Sequence, residues 1–158
     1  MKKLLLIAIC CMFGMSDMLA QSSSTKPEIQ FRNKIEQFLK EEGYLPTVDN
    51  EDESLNWKKE GVKYWLTVES SEPYYIRMHE AGFNYDKENK KKVIEACNYA
   101  NKNKRCGKAT VGNSTVSFTV EYYVYSINGF KQTFYANMRA VNAAKTATKA
   151  YYNGDIKE

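Results

Sequence analysis

The chain has 158 residues, a formal charge of +4, 43% hydrophobic and 13% aromatic residues, and a single histidine. That mild basic excess is not the concentrated cationic surface a nucleic-acid binder needs. One histidine also leaves little material for a catalytic triad or a histidine-based metal centre.

Met1–Ala20 reads as an export signal outside the fold. Lys2 and Lys3 precede the apolar run Leu4–Gly14, and Ala20 offers a small residue at the cleavage point. The run is too short to anchor in a bilayer, and no other apolar stretch is long enough to cross one. Cys10 follows Ile9 rather than a small residue, so a lipoprotein signal is not met. The expected product is therefore exported, periplasmic or secreted, with 138 residues and a charge of +3 once Lys2, Lys3 and Asp17 are gone. Residues 21–27 form a Ser/Thr tether and 28–158 one domain.

Pro27 suits a first helical turn, and Phe31, Ile35, Phe38 and Leu39 recur at helical spacing up to Gly43. Asp49–Glu53 is an acidic loop without the residue order of a calcium site. Leu55 and Trp57 begin a strand, and Glu60-Gly61 turns it into Val62–Glu69, whose inward row is Val62, Tyr64, Leu66 and Val68. Ser70–Pro73 turns the chain into a third strand, with Tyr74, Ile76 and Met78 inward and Tyr75, Arg77 and His79 outward.

Asn84–Asp86 is expected to cap a helix carrying Val93, Ile94, Cys97 and Ala100 on one stripe. Lys108–Val111 and Thr115–Tyr125 follow as strands around the turn Gly112–Ser114, with Val116, Phe118, Val120, Tyr122 and Val124 inward. A last helix spans Ile127–Tyr152 on Phe130, Phe134, Met138 and Val141, stopped by Gly154. The expected fold is α+β, in the order α-βββ-α-ββ-α. It is a single antiparallel five-stranded sheet with helices packed mainly on one face.

Several residues resemble one known pattern: Phe38-Leu39 before Gly43-Tyr44; then Leu55, Trp57, Gly61, Tyr64, Leu66 and Val68; then Asn98, Asn101 and Asn103 before Gly107-Lys108. Their order is similar to that of the YbjN-like family, whose fold resembles type III secretion chaperones. The resemblance covers about residues 28 to 152. It implies a dimerising scaffold that holds segments of other proteins. It carries no catalytic motif, and the export signal sets this chain apart from intracellular members.

The candidate chemistry is sparse. Glu80 is adjacent to His79 on a strand and points to the opposite face, so it cannot orient that imidazole. No catalytic residue, metal ligand set or cofactor is expected. Cys97 and Cys106 form an even pair suited to an oxidising compartment, either as a disulfide or as two packed thiols. The lysines around residues 87–92 and 102–108 suit the ends of the central helix, or else an acidic polysaccharide, headgroup or peptide.

Trp65, Tyr75, Tyr123 and Tyr125 fall opposite the inward rows and form the candidate interface. The reading is a non-catalytic binding domain with a protein partner or itself, as a homodimer. A small envelope-glycan-binding or glycan-acting protein using Glu69 or Glu121 is the alternative.

Overall fold

The structure is a computed structural model that describes residues 26–70 and 72–156. The expected export signal, 1–20, and the expected tether up to residue 25 lie outside the described residues. Helix α1 runs Pro27–Glu41. Strands β1 (Thr47–Val48), β2 (Leu55–Lys59), β3 (Val62–Glu69) and β4 (Tyr74–Asn84) follow. After a 3-10 turn come α2 (Lys90–Asn103), β5 (Lys108–Val111), β6 (Thr115–Val124) and α3 (Ile127–Asn153).

The sheet is antiparallel throughout, in the order β1-β2-β3-β4-β6-β5. It therefore has six strands, not five. The extra strand β1 pairs Thr47 with Asn56 and Val48 with Leu55. Two residues are too few to show a period, so only pairing with β2 reveals it.

Local chemistry accounts for most boundaries. Pro27 opens α1, and Gly43 ends it at φ 84°, with the Tyr44 amide donating to the Leu39 carbonyl. Glu60 and Gly61 both take positive φ, 51° and 80°, as a two-residue hairpin turn with the sheet's own twist demands. The Ser126 hydroxyl accepts from the Gly129 amide and starts α3, and Gly154 at φ 86° stops it.

Three expectations along α2 and β4 need correction. Asn84 belongs to β4, which continues past His79, and neither Asp86 nor Asn89 makes a side-chain cap. Ile94 is 39% exposed, while Ala96 is buried in its place. Cys97 and Cys106 are both free, Cys97 buried and Cys106 exposed. Cys97 packs into the core from α2, whereas Cys106 sits in a left-handed turn at φ 69° facing solvent.

The asparagines before β5 are structural. The Asn101 side chain accepts from the Ala109 amide at 2.7 Å and donates to the Ala109 carbonyl at 3.0 Å. It thereby pairs like a short strand with the edge of β5. Gly107 lets β5 start against α3, since a Cβ there would meet the Ala140 carbonyl oxygen at 2.3 Å.

One face of the sheet packs under the helices. Leu55, Trp57, Tyr64, Leu66, Ile76 and Met78 join Phe118 and Val120 beneath Phe31, Phe38, Phe130 and Phe134 in a single core. Among the described residues no helix is long and apolar enough to cross a membrane. β4 is bulged between Glu80 and Phe83, where it passes Phe118 and Val116 of β6. Gly82 lies in that bulge, and a Cβ there would stand 1.6 Å from the Val116 carbonyl oxygen. Backbone cannot yield as a flexible side chain would. Gly82→Ala is expected to cost at least about 3 kcal/mol, the upper end for overpacking. Urea unfolding of the purified variant measures it.

Candidate functional site

The face away from the helices is built by cross-strand register. One row runs Trp65, His79, Thr119 and Lys108; the next runs Thr67, Arg77 and Glu121; the third runs Glu69, Tyr75 and Tyr123. Period-two alternation places all of these side chains on one surface. Trp65, Tyr75 and Tyr123 therefore share a face, as their positions in the strands predict. Tyr125 lies beyond the end of β6 and is 77% exposed, so it flanks this face rather than extending the strand row.

The rings do not form one apolar patch. Trp65 stacks on His79 with centroids 4.8 Å apart and planes 4° from parallel. Tyr75 and Tyr123 pair at 5.1 Å. Between these two aromatic pairs lies the charged row. Arg77 meets Glu69 at 3.2 Å and Glu121 at 3.6 Å, and Lys108 holds Glu121 at 2.6 Å. The Arg77 guanidinium also sits 5.8 Å from the Tyr75 ring centre. Trp65 and Tyr75 are half-buried by these neighbours, while Tyr123 remains 65% exposed.

The electrostatics follow from the contacts. The Lys108 hydrogen bond, aided by Tyr75, holds the Glu121 carboxyl below the usual carboxylate range. Burial raises the Tyr75 phenol, with Glu121 adding to it. Glu69 and Glu121 share Arg77. An ionised carboxylate held by two cations has no proton to donate to a glycosidic oxygen. Burial, and then Arg77, hold the His79 imidazole below its ordinary value of 6.5. Its Nδ1 is buried without a hydrogen-bond partner.

A second polar cluster escapes sequence reading. Glu80 points under the helices and is fully buried. Lys145 of α3 reaches its Oε1 at 2.7 Å, and the Asn142 amide approaches at 3.5 Å. The Tyr64 phenol faces the same carboxylate and is pushed far up, first by burial and then by Glu80. Glu80 Oε2 has no hydrogen-bond partner. The one signal in the sequence is alternation. Glu80 continues the inward row Tyr74, Ile76, Met78, which makes a carboxylate in the core an expected anomaly.

Two of the basic residues flanking α2 are engaged. Lys108 is bound to Glu121, and Lys92 lies 4.8 Å over the Tyr152 ring centre. Among the described residues, no group of three or more His, Cys, Asp or Glu could hold a metal ion.

Two outcomes are expected here. Lys145→Ala strands a buried carboxylate and should destabilise by about 3–5 kcal/mol, while Glu80→Gln with Lys145→Met together should cost much less. Urea denaturation of the two variants separates these. His79, held neutral in the fold, contributes stability above its ordinary value that is lost as pH falls below it toward the folded value. The unfolding midpoint should therefore drop between about pH 8 and about pH 5, and His79→Gln should lessen that drop.

Comparison with known proteins agrees with this architecture. The family model for YbjN, described as "Putative bacterial sensory transduction regulator", matches residues 32–154. The chain is also similar to the crystal structure of YbjN from E. coli, described as "a putative transcription regulator". The TM-score is 0.51 at 10% identity, over 77% of this chain and 92% of that one, a likeness of fold. No curated protein matches the chain significantly.

Proposed function

Because the chain belongs to the YbjN family, we propose that it is an exported, non-catalytic binding domain that associates through its uncovered sheet face, first with a second copy of itself. A regulator acts by binding, and this face has the makings of a binding surface. The observation that carries the reading is Tyr123. It is 65% exposed on β6 beside Tyr75, on the face that no helix covers. Aromatic rings beside an arginine are the side chains that most often dominate protein interfaces.

The charged row supports specificity more than strength. Glu69–Arg77–Glu121–Lys108 presents alternating charges across the strands, and an antiparallel copy can meet that pattern in one register. Trp65, stacked on His79, is already ordered and loses little freedom on contact. Export rests on Met1–Ala20, where two lysines precede an apolar run and a Ser-rich exit.

Sedimentation velocity on the protein expressed with its own leader tests this reading. A concentration-dependent dimer is expected, and Tyr123→Ala should weaken it by about thirtyfold or more, as an interface hot spot of about 2 kcal/mol requires. The mass of the recovered periplasmic or extracellular protein should lack Met1–Ala20. A monomer at every concentration, whose binding of cell-envelope protein is unchanged by Tyr123→Ala, sinks the interface. An uncleaved cytoplasmic product sinks export.

A further inference from the structure

On the opposite side of the sheet, a groove of about 680 Å³ runs between α3, the β2–β3 hairpin and the end of α2. It exists because one side of α3 carries short side chains: Asn142, Ala143, Thr146, Ala147 and Ala150. Larger residues there would close the gap against Val62 and Tyr64. Tyr135 stands at one end, and Tyr99, stacked on Tyr151 at 4.8 Å, stands at the other. Tyr135 and Tyr151 are separated by about 24 Å of helix at the usual rise. The volume lies in the range of small-molecule sites.

We infer that this groove binds an elongated anionic amphiphile, a long-chain carboxylate, with its head at Arg139 and Lys59 and its apolar body along Ala143, Ala147 and Ala150. Three observations support that occupant. The charged residues of the groove are Lys59, Lys104 and Arg139 against Glu60, so cations exceed acids. Among the described residues, neither Arg139 nor Lys104 forms an ion pair, and Lys59 only overlies the Tyr135 ring at 5.2 Å. Glu42, the acid at the Tyr135 end, already accepts the Tyr135 hydroxyl.

The third observation is the backbone that lines the groove. α3 satisfies its own backbone, and strand edge is left unpaired only at the hairpin end, beyond Asn56 of β2 and before Tyr64 of β3. An extended peptide laid along Ala143–Ala150 would leave its own amides and carbonyls without backbone partners. An alkyl chain has no such groups. It needs only apolar contact and a cation at one end, and the groove supplies both.

Calorimetric titration of the chain starting at Gln21 with sodium myristate, below its self-association concentration, tests the site. Saturable one-to-one binding is expected, with myristyl alcohol weaker by about tenfold, the minimum that one charge-assisted hydrogen bond implies. Thr146→Trp, an exposed helix position, should abolish binding, and Arg139→Glu should weaken it by about tenfold or more. Tyr123→Ala should leave it unchanged, which separates this site from the sheet face. Absence of saturable binding overturns the inference. So does binding unaffected by either groove variant, each shown folded by circular dichroism. A sedimentation change in Thr146→Trp when the unaltered chain binds no myristate would assign the groove to a second copy and overturn it as well.

Discussion

Phe134 is the contact on which the architecture turns. Its ring is fully buried and meets Phe38 of α1 at 5.2 Å, Trp57 of β2 at 6.0 Å, Phe130 at 5.6 Å and Tyr44 at 6.3 Å. Each such pair adds about 0.5–1.5 kcal/mol beyond its buried area. More important is what the cluster joins. It ties the first helix, the last helix and the second strand at one point. α3 is thereby fixed across the sheet, while α1 fills the space on one side of it. Trp57 accepts this position although its indole nitrogen finds no hydrogen-bond partner, so ring packing outweighs one unmet donor there.

Once α3 is held this way, the two surfaces follow. All three helices lie over one side of the sheet, which leaves the rows of Trp65, Arg77 and Tyr75 uncovered. α1 ends at Glu41 and α2 lies beyond α3, so neither reaches the stretch of sheet beside the β2–β3 hairpin. The small residues of α3 leave that stretch as a groove. An uncovered face and a groove are thus consequences of one packing decision, on opposite sides of the same strands.

The buried Glu80–Lys145 pair is the exception to an otherwise apolar core. A buried ion pair seldom adds stability over a hydrophobic replacement, but it penalises arrangements that separate its members. Lys145 reaches Glu80 only when α3 crosses β4 in the observed position. The Gly82 bulge next to Glu80 adds a second positional constraint, because it admits Val116 against bare backbone. Together they hold α3 and β6 to one register on β4.

The order of the chain along its own length was legible without any structure. Helical spacing in Phe31–Leu39 and Phe130–Val141, alternation in Val62–Val68 and Thr115–Val124, and turn chemistry at Glu60-Gly61 and Gly154 each report a local preference. They do so because periodicity and φ are properties of neighbouring residues. The same alternation placed Trp65, Tyr75 and Tyr123 opposite the core. Tertiary structure alone decided the rest. β1 exists through its pairing with β2, since two residues have no period of their own. Ile94 yields its buried place to Ala96 because the rotation of α2 is set by β5 and α3 and not by its own composition. Arg77 divides the aromatic face because its partners Glu69 and Glu121 come from two other strands. The groove beside Thr146 depends on three elements distant in sequence, and distance in sequence is what local pattern cannot see.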